Sequence, residues 1–552
     1  MIKIANSFFV RLIRKTQAIL CVLTSIYGQS DGKRASKINF FEISDMPIIK
    51  VVFKLMYTST RDNSVRVSAA QAIANGISKD GGLFVPTQIP TLTADELKEL
   101  VGMDYQGRAV AVLSKYLSDF TEQEVADCVS GAYGGGKFSS DKTAPVVKLD
   151  YSAYIQELWH GPTCAFKDMA LQILPHLLTR AAAKTVGDKQ IVILVATSGD
   201  TGKAALEGFK DVPNTKILVF YPSDGVSAMQ KLQMITQEGN NVGVSAIKGN
   251  FDDAQSGVKA IFTDPEVAKL LEDNGMQFSS ANSINWGRLA PQIVYYISAY
   301  CDMVEQGAIN LGDKINVCVP TGNFGNILAA YYAKEMGLPI EKLICASNAN
   351  NVLTDFLSTG TYDRNRSFYA TISPSMDILI SSNLERLLYI LSGCDDKKVA
   401  GYMAELSKNG KYTVDADILA KINSLFAAGC CDDDETKATI GAVYGDKKYL
   451  CDTHTAVAVK VYDEYRASTG DVTPTVIAST ASPFKFTASV LSAVDASLVK
   501  GEEYEMTKTL ADATGVECPV QLTGLENKTV RFSEVIDKSD MRKAVYAMLG
   551  IN

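Results

Sequence analysis

Four uninterrupted apolar runs most constrain what this chain can fold into: QIVILVA (190–196), KILVFYP (216–222), INVCVP (315–320) and TPTVIAST (473–480). None alternates polar with apolar residues, as a strand with one wet face would. After the first comes a small-residue loop and helix-like KAALEGFK. After the third comes a Gly/Asn loop and ILAAYYAKEMG. Apolar runs alternating with helices imply parallel strands covered on both faces, an α/β architecture. In such sheets ligands gather at the carboxyl ends of the strands, and the unusual loops of this chain fall there.

With 552 residues, 47% of them hydrophobic, the chain can bury a large core, in two to four domains by length. The net charge of −8 offers no footprint for nucleic acid or an anionic membrane. An anionic substrate therefore needs a local basic pocket. Eleven cysteines without a CxxC read as reduced, intracellular thiols, and three histidines without ligand spacing point to no metal site. Residues 1–55 carry nine Lys/Arg against three Asp/Glu, a net of +6 that leaves −14 for the rest. Their apolar run AILCVLTSIYG is too short to span a bilayer and has no signal-peptide cleavage pattern after it. We expect a disordered extension or a start placed too early, with Met56 a natural beginning. SVRVSAAQAIANGISKDGG (64–82) reads as an amphipathic helix ended by Gly. TADELKELVGM and TEQEVADCVSGAY read as capped helices, and Gly134–Gly136 with Pro145 marks a boundary. CCDDDETK near 430 reads as a solvated loop.

ELWHGPTCAFKDMALQ (157–172) holds a lysine that its surroundings do not ask for. The plain expectation for Lys167 is a surface position with its stem along the protein. Ala165 and Phe166 argue otherwise, because burial disfavours the ammonium and frees a nucleophilic amine. Such an amine forms a Schiff base with an aldehyde cofactor. Pyridoxal phosphate then needs a cradle for its phosphate, and PTGNFGNI (320–327) follows a strand and opens a helix. Gly322 and Gly325 let the backbone approach, the helix start supplies N–H groups, and Asn323 and Asn326 add amide donors. At the end of the fourth run, Thr480 or Ser479 offers the pyridine nitrogen a hydroxyl. ATSGDTGKAA (196–205) is a second anion nest, with Ser198, Gly199, Thr201 and Gly202 turned toward a carboxylate. Asp200, awkward beside an anion, either faces the cofactor ring and its 3-hydroxyl or caps the helix. SANSINWGRLAPQ (280–292) gathers Asn282, Ser283 and Arg288, whose fork suits a phosphate.

Together and in this order, HGPTCAFKD, ATSGDTG, SANSINWGRL, PTGNFGN, SPSMDILISSNLERLLY and STASPFKF resemble the threonine synthases, fold-type II pyridoxal phosphate enzymes. The resemblance runs from about Tyr57 to the C-terminus. YTSTRDNSVRVSAAQAIANGISKDGGLFVP and SMDILISSNLERLLY are similar to the long class. The resemblance implies a tryptophan-synthase-β-like fold of two parallel-sheet α/β domains behind a mostly helical N-terminal segment. Residues 56–148 would form that segment. Residues 149–190 and 313–552 would form the larger cofactor domain, with an insertion at about 355–450, and residues 191–312 the smaller substrate-side domain. It further implies that Lys167 is the Schiff-base lysine, that Gly322, Asn323, Phe324, Gly325 and Asn326 hold the cofactor phosphate, and that Thr480 meets the ring nitrogen. The implied reaction takes O-phospho-L-homoserine and water to L-threonine and phosphate, in the cytoplasm, by a monomer or homodimer. One residue departs from the pattern: Ser482 stands where many members carry a histidine. The alternatives are a serine or threonine dehydratase-like eliminase, which shares Lys167 and the phosphate loop but needs no second anion site, and a non-catalytic binder of phosphorylated amino acids. A nicotinamide enzyme is opposed by the lack of a G-x-G-x-x-G loop.

Overall fold

The computed structural model describes residues 54 to 551 except 198, 224 and 225. The expected extension lies outside them but for its last two residues. The chain opens with a three-stranded antiparallel sheet, β1 (Tyr57–Ser59), β2 (Asp62–Val67) and β3 (Phe84–Pro86), in the order β2-β1-β3. The helix expected from residue 64 begins instead at Ala69, where Ser68 caps it reciprocally with Gln71. The preceding Ser64–Val67 is strand, because Val65 and Val67 flank Arg66 with the period of two that pleats a chain. Helices Ala94–Val101 and Glu122–Tyr133 form as expected, each with a capping box, Thr93 with Glu96 and Thr121 with Glu124.

β4 (Val146–Lys148) and β5 (Ala153–Glu157) then begin the larger sheet. The chain leaves it to build a smaller one from β6 (Gln190–Ala196), β7 (Thr215–Pro222), β8 (Val242–Lys248) and β9 (Met276–Ser279). It returns with β10 (Ile315–Pro320) and β11 (Ile340–Ser347). A separate antiparallel pair follows, β12 (Thr361–Asp363) with β13 (Lys411–Thr413), and then β14 (Phe426–Cys430) and β15 (Thr475–Ser479) complete the larger sheet. Its order is β14-β11-β10-β15-β5-β4, parallel except at β4. With β16 (Val535–Asp537) at its edge, the smaller sheet runs β16-β8-β7-β6-β9, all parallel.

Two features differ from the expected domain limits. β16 (Val535–Asp537), at the far end of the stretch assigned to the larger sheet, pairs with β8 on the edge of the smaller one. β14 lies inside the stretch read as an insertion, yet it is an edge strand of the larger sheet. The acidic CCDDDETK is a helix start: Asp432 and Glu435 form a capping box for Asp433–Lys447, placing carboxylates at the positive end of the helix.

Helix Trp286–Glu305 is buried along nearly its whole length. Trp286 meets the rings of Tyr57, Tyr116 and Tyr332 with centroids 5.3–5.4 Å apart, so the N-terminal segment and the helix after β10 share one aromatic cluster. Among the described residues no helix is long and apolar enough to cross a membrane.

Candidate active site

The polar loops converge where the sheets end. β5 and β15 pair in register up to Glu157 opposite Ser479, and the next ties continue the pairing past the strand ends. Leu158 N donates to Ser479 O (3.0 Å), Phe166 N donates to Thr480 O (2.8 Å), and Ala165 bridges Ala481. These bonds fix Lys167 against Thr480 at the carboxyl end of the larger sheet.

Lys167 is buried at 8% relative exposure. Its Nζ donates to Ser375 Oγ at 3.1 Å and lies 3.4 Å from Asp200 Oδ2. Burial pushes this ammonium below the usual lysine range. Asp200 opposes that, and the nearby charges of Lys485 and Arg288 reinforce it. A shielded amine whose proton is held less firmly than usual suits nucleophilic chemistry at carbonyl carbon.

Asp200 is the first residue of helix Asp200–Phe209, after Gly199 at φ 137°. A methyl group on Gly199 would lie 2.4 Å from the Gln230 side chain, so the turn requires glycine twice over. Thr197 Oγ1 accepts the amides of Gly199 (3.0 Å) and Gly202 (2.9 Å) and closes the loop on itself. Asp200 does not cap the helix. Its Oδ1 takes Lys485 Nζ at 2.7 Å and Gln230 Nε2 at 3.0 Å, and its Oδ2 takes the Ser375 hydroxyl at 3.2 Å. Burial works against the charge, but Lys485 and then Lys167 outweigh it and hold the carboxyl well below the usual range. Thr201 is half-buried one residue on. Ser198 lies outside the described residues.

The second loop joins β10 to helix Gly325–Met336. Among the described residues, none of the amides from Gly322 to Ile327 donates a hydrogen bond within the protein. Phe324 adopts the left-handed conformation at φ 60°, and the helix starts with no side-chain cap. Asn326 Oδ1 accepts from Tyr295 at 2.6 Å and also from Tyr296, which leaves its buried Nδ2 without a partner. Such a group is expensive unless a ligand satisfies it. The loop is walled by Ser375 and Met376: a methyl on Gly322 would sit 2.7 Å from Ser375 O. Asn383 N and Nδ2 both donate to the exposed Asn323's carbonyl (3.2 and 3.0 Å), and Nδ2 also reaches Ser283 Oγ at 3.3 Å.

Of the two hydroxyls offered for a ring nitrogen, Ser479 is already engaged by Trp159 Nε1 (3.2 Å) and Thr455 Oγ1 (3.0 Å). Thr480, buried, adjoins Lys167. Ser482 is also fully buried. Its Oγ accepts from Phe484 N and its own N–H donates to Cys164 O, so it works as the cap of a short turn. Asn282 and Ser283 are half-buried before helix Trp286–Glu305. Arg288 is buried within that helix. Its Nη1 donates to Ala281 O at 2.6 Å, its Nε is unpartnered, and burial lowers the guanidinium to about 10.

Three contributors went unread in the sequence. Ser375 bridges Lys167 and Asp200, and its N–H donates to His454 Nε2 at 3.1 Å; His454 Nδ1 is then the protonated nitrogen, donating to Asp452 Oδ1 at 2.9 Å. Lys485 is completely buried. Arg386 fixes Asn383 through Nη1 to Oδ1 at 2.6 Å, which turns Asn383 Nδ2 toward the loop. Only Lys485 had a local signal, in the flanking Phe484 and Phe486.

Comparison with known proteins agrees with this geometry. Family models match for the Threonine synthase N terminus (residues 56–133), for Pyridoxal-phosphate dependent enzyme (140–480) and for Threonine synthase, C-terminal (455–545). The human protein Threonine synthase-like 1 is 42% identical over 446 residues, 78% of this chain, and the chain spans 59% of that relative's length. Threonine synthase of Pseudomonas aeruginosa is 38% identical over 436 residues, covering 78% of this chain and 89% of that one. The crystal structure of PLP-bound threonine synthase from Brucella melitensis superposes with a TM-score of 0.79 at 37% identity, over 90% of this chain and 99% of that one.

Proposed function

The chain belongs to the threonine synthase family of pyridoxal-phosphate-dependent enzymes, and from that premise we propose that it converts O-phospho-L-homoserine and water to L-threonine and phosphate. The observation that carries this reading is the buried Lys167 amine flanked by a loop whose amides are free. The residues present fit pyridoxal phosphate. The amides of Gly322, Asn323, Phe324, Gly325 and Asn326, with the orphan Nδ2 of Asn326, match a phosphate. The buried Thr480 hydroxyl, fixed beside Lys167 by the Phe166 N to Thr480 O bond, suits the ring nitrogen as a donor. When bound, pyridoxal phosphate supplies a sink for the electron pair left on a substrate carbon that loses its proton.

The protein's own part is proton handling and anion binding. Lys167 Nζ, once displaced by the substrate's amino group, is the base that takes the proton from Cα and then from Cβ. Ser375 Oγ accepts from that nitrogen and donates to Asp200, so it aims Nζ without adding charge. Thr201, in the first turn of helix Asp200–Phe209, would receive the substrate carboxylate, with Ser198 as the second donor that the sequence suggests. Arg288, Asn282 and Ser283 would receive the leaving phosphate and stabilise the charge that develops on it. The unpartnered Arg288 Nε supports that role. The cytoplasm is the proposed site of action, since ten cysteines among the described residues are free thiols.

The test is to feed O-phospho-L-homoserine to the purified protein and measure phosphate and threonine together. Equal amounts of the two are expected. Phosphate accompanied by a 2-oxo acid in place of threonine would assign the protein to the eliminases instead, and no phosphate at all would remove the reading.

A further inference from the structure

Two buried lysines share one carboxylate. Lys485 Nζ sits 2.7 Å from Asp200 Oδ1 and also donates to Thr163 O at 2.9 Å. Lys167 Nζ lies 3.4 Å from Asp200 Oδ2, with the neutral Ser375 hydroxyl as its nearer partner. One anion cannot balance two cations, and Arg288 adds a third positive charge whose field reaches Lys167. Attraction falls with distance, steeply in a medium of low dielectric. The amine less well compensated, Lys167, is therefore the one that gives up its proton at least cost.

The surroundings of both lysines bear this out. Lys167 faces Asp200 from one helix, Ser375 from the segment over the phosphate loop, Lys485 from the turn after β15, and Arg288 from helix Trp286–Glu305. Lys485 faces Asp200, the buried Asp168 and the Cys164 thiol, and the His454 ring lies behind Ser375, whose amide its Nε2 accepts. Asp168 is occupied by the Thr163 amide (2.8 Å) and hydroxyl (2.7 Å) and pairs with neither lysine. Asp200 is thus the one carboxylate that contacts either lysine among the described residues.

We propose that Lys485 is a positioning residue for the chemistry: by holding Asp200 it withholds a full counter-ion from Lys167 and leaves Lys167 as the amine free to condense with an aldehyde. The proposal rests on the reading of Lys167 given above. Condensation forms a C=N bond between Nζ and the aldehyde carbon, breaks the C=O bond and releases water. It needs the nitrogen lone pair, so any excess proton on Nζ must first go to solvent.

The test uses the full chain freed of cofactor. Pyridoxal phosphate is added across a range of pH, capture is followed by absorbance, and borohydride with peptide mass mapping locates the tag. With Lys485→Met, Lys167 gains Asp200 to itself and loses a repelling neighbour. The pH of half-maximal capture rate then rises by about one unit, which is about tenfold slower capture near neutrality. Lys485→Gln, which keeps a donor for Thr163 O, shows the same shift. Lys485→Arg, which keeps the charge, stays within about threefold of wild type. An unshifted profile in folded Lys485→Met or Lys485→Gln overturns the proposal, as does an equal shift in Lys485→Arg. Wild-type protein tagged somewhere other than Lys167 overturns the reading of Lys167, and the proposal falls with it.

Discussion

The loops after β6 and β10 are built alike, strand to turn to helix, and differ in what they leave unsatisfied. In the first, Thr197 takes the amides of Gly199 and Gly202, and Asp200 puts a carboxylate at the helix start. In the second, the amides from Gly322 to Ile327 have no acceptor among the described residues, and no acidic side chain lies between Thr321 and Met336 before Glu335. A helix start that carries its own acid has used much of its capacity for an anion; one that carries none advertises it. The first loop therefore engages both lysines through Asp200, and the second, on the function proposed above, is the one left open for the cofactor phosphate. Both converge on Lys167, through Asp200 directly and through Ser375, whose carbonyl covers Gly322.

The largest effect expected is at the point of convergence. Lys167→Ala should lower turnover by at least about 10⁴-fold, the scale on which nucleophile deletions act. Its folding should survive, because Asp200 keeps Lys485 Nζ at 2.7 Å as its counter-ion and no buried charge is left unpaired. Residual turnover above a hundredth of wild type would mean that neither loop serves this amine. Next comes the closed loop. Asp200→Asn leaves two lysines buried without their carboxylate and should cost about 3–5 kcal/mol of stability, read from denaturant unfolding of the cofactor-free chain. A loss under 1 kcal/mol would show that the ion pairs there are not what the geometry makes them.

Asp168 and Asp200 sharpen the same point, since both are buried acids near Lys485. Asp200 is ion-paired and held low, whereas Asp168 has, among the described residues, Thr163 donors alone, and burial raises it to about 6. A folded value above the unfolded one of about 3.9 gives a contribution fully present below pH 4 and lost as pH rises through 6. The difference in unfolding free energy between wild type and Asp168→Asn should therefore fall by up to about 3 kcal/mol between those limits. A difference constant with pH would place the Asp168 carboxyl in a polar setting.

Much of this arrangement was legible in the chain, and the remainder was hidden for definable reasons. The apolar runs at 190, 216, 315 and 475 are strands because burial on both faces leaves no room for polar alternation. Lys167 announced itself through Ala165 and Phe166. Lys485 carried the same signature between Phe484 and Phe486 and stayed unassigned because no chemistry asked for a second amine. Ser375 lies 208 residues from Lys167 and gave no local signal, since its role is created by the fold. The strand Val535–Asp537 crosses to the smaller sheet for a similar reason. Its pairing with Ala246–Lys248 is a register match that no short-range pattern encodes. CCDDDETK misled because a run of acids suits a wet loop and a helix N-terminus equally well.

The finest test of the open loop lies in its two glycines. A methyl at Gly322 would meet Ser375 O at 2.7 Å, with Met376 Cα at 3.3 Å behind it, so either the loop or the 375–376 wall must shift. We expect Gly322→Ala to cost about 1–3 kcal/mol, seen as a roughly tenfold or larger rise in the Kd for pyridoxal phosphate, because the displaced groups are those that shape the phosphate cradle. At Gly325, three residues along, the nearest atom to an added methyl is Asn383 Nδ2 at 3.4 Å, an ordinary contact with the end of a side chain. Gly325 also begins a helix, where alanine narrows the unfolded ensemble and gains about 0.4–1 kcal/mol. Gly325→Ala should therefore melt slightly higher and bind the cofactor within about threefold of wild type. If both substitutions weakened binding alike, backbone freedom throughout the loop would matter more than the fit under Ser375, and the contrast between a closed loop and an open one would reduce to a difference in flexibility.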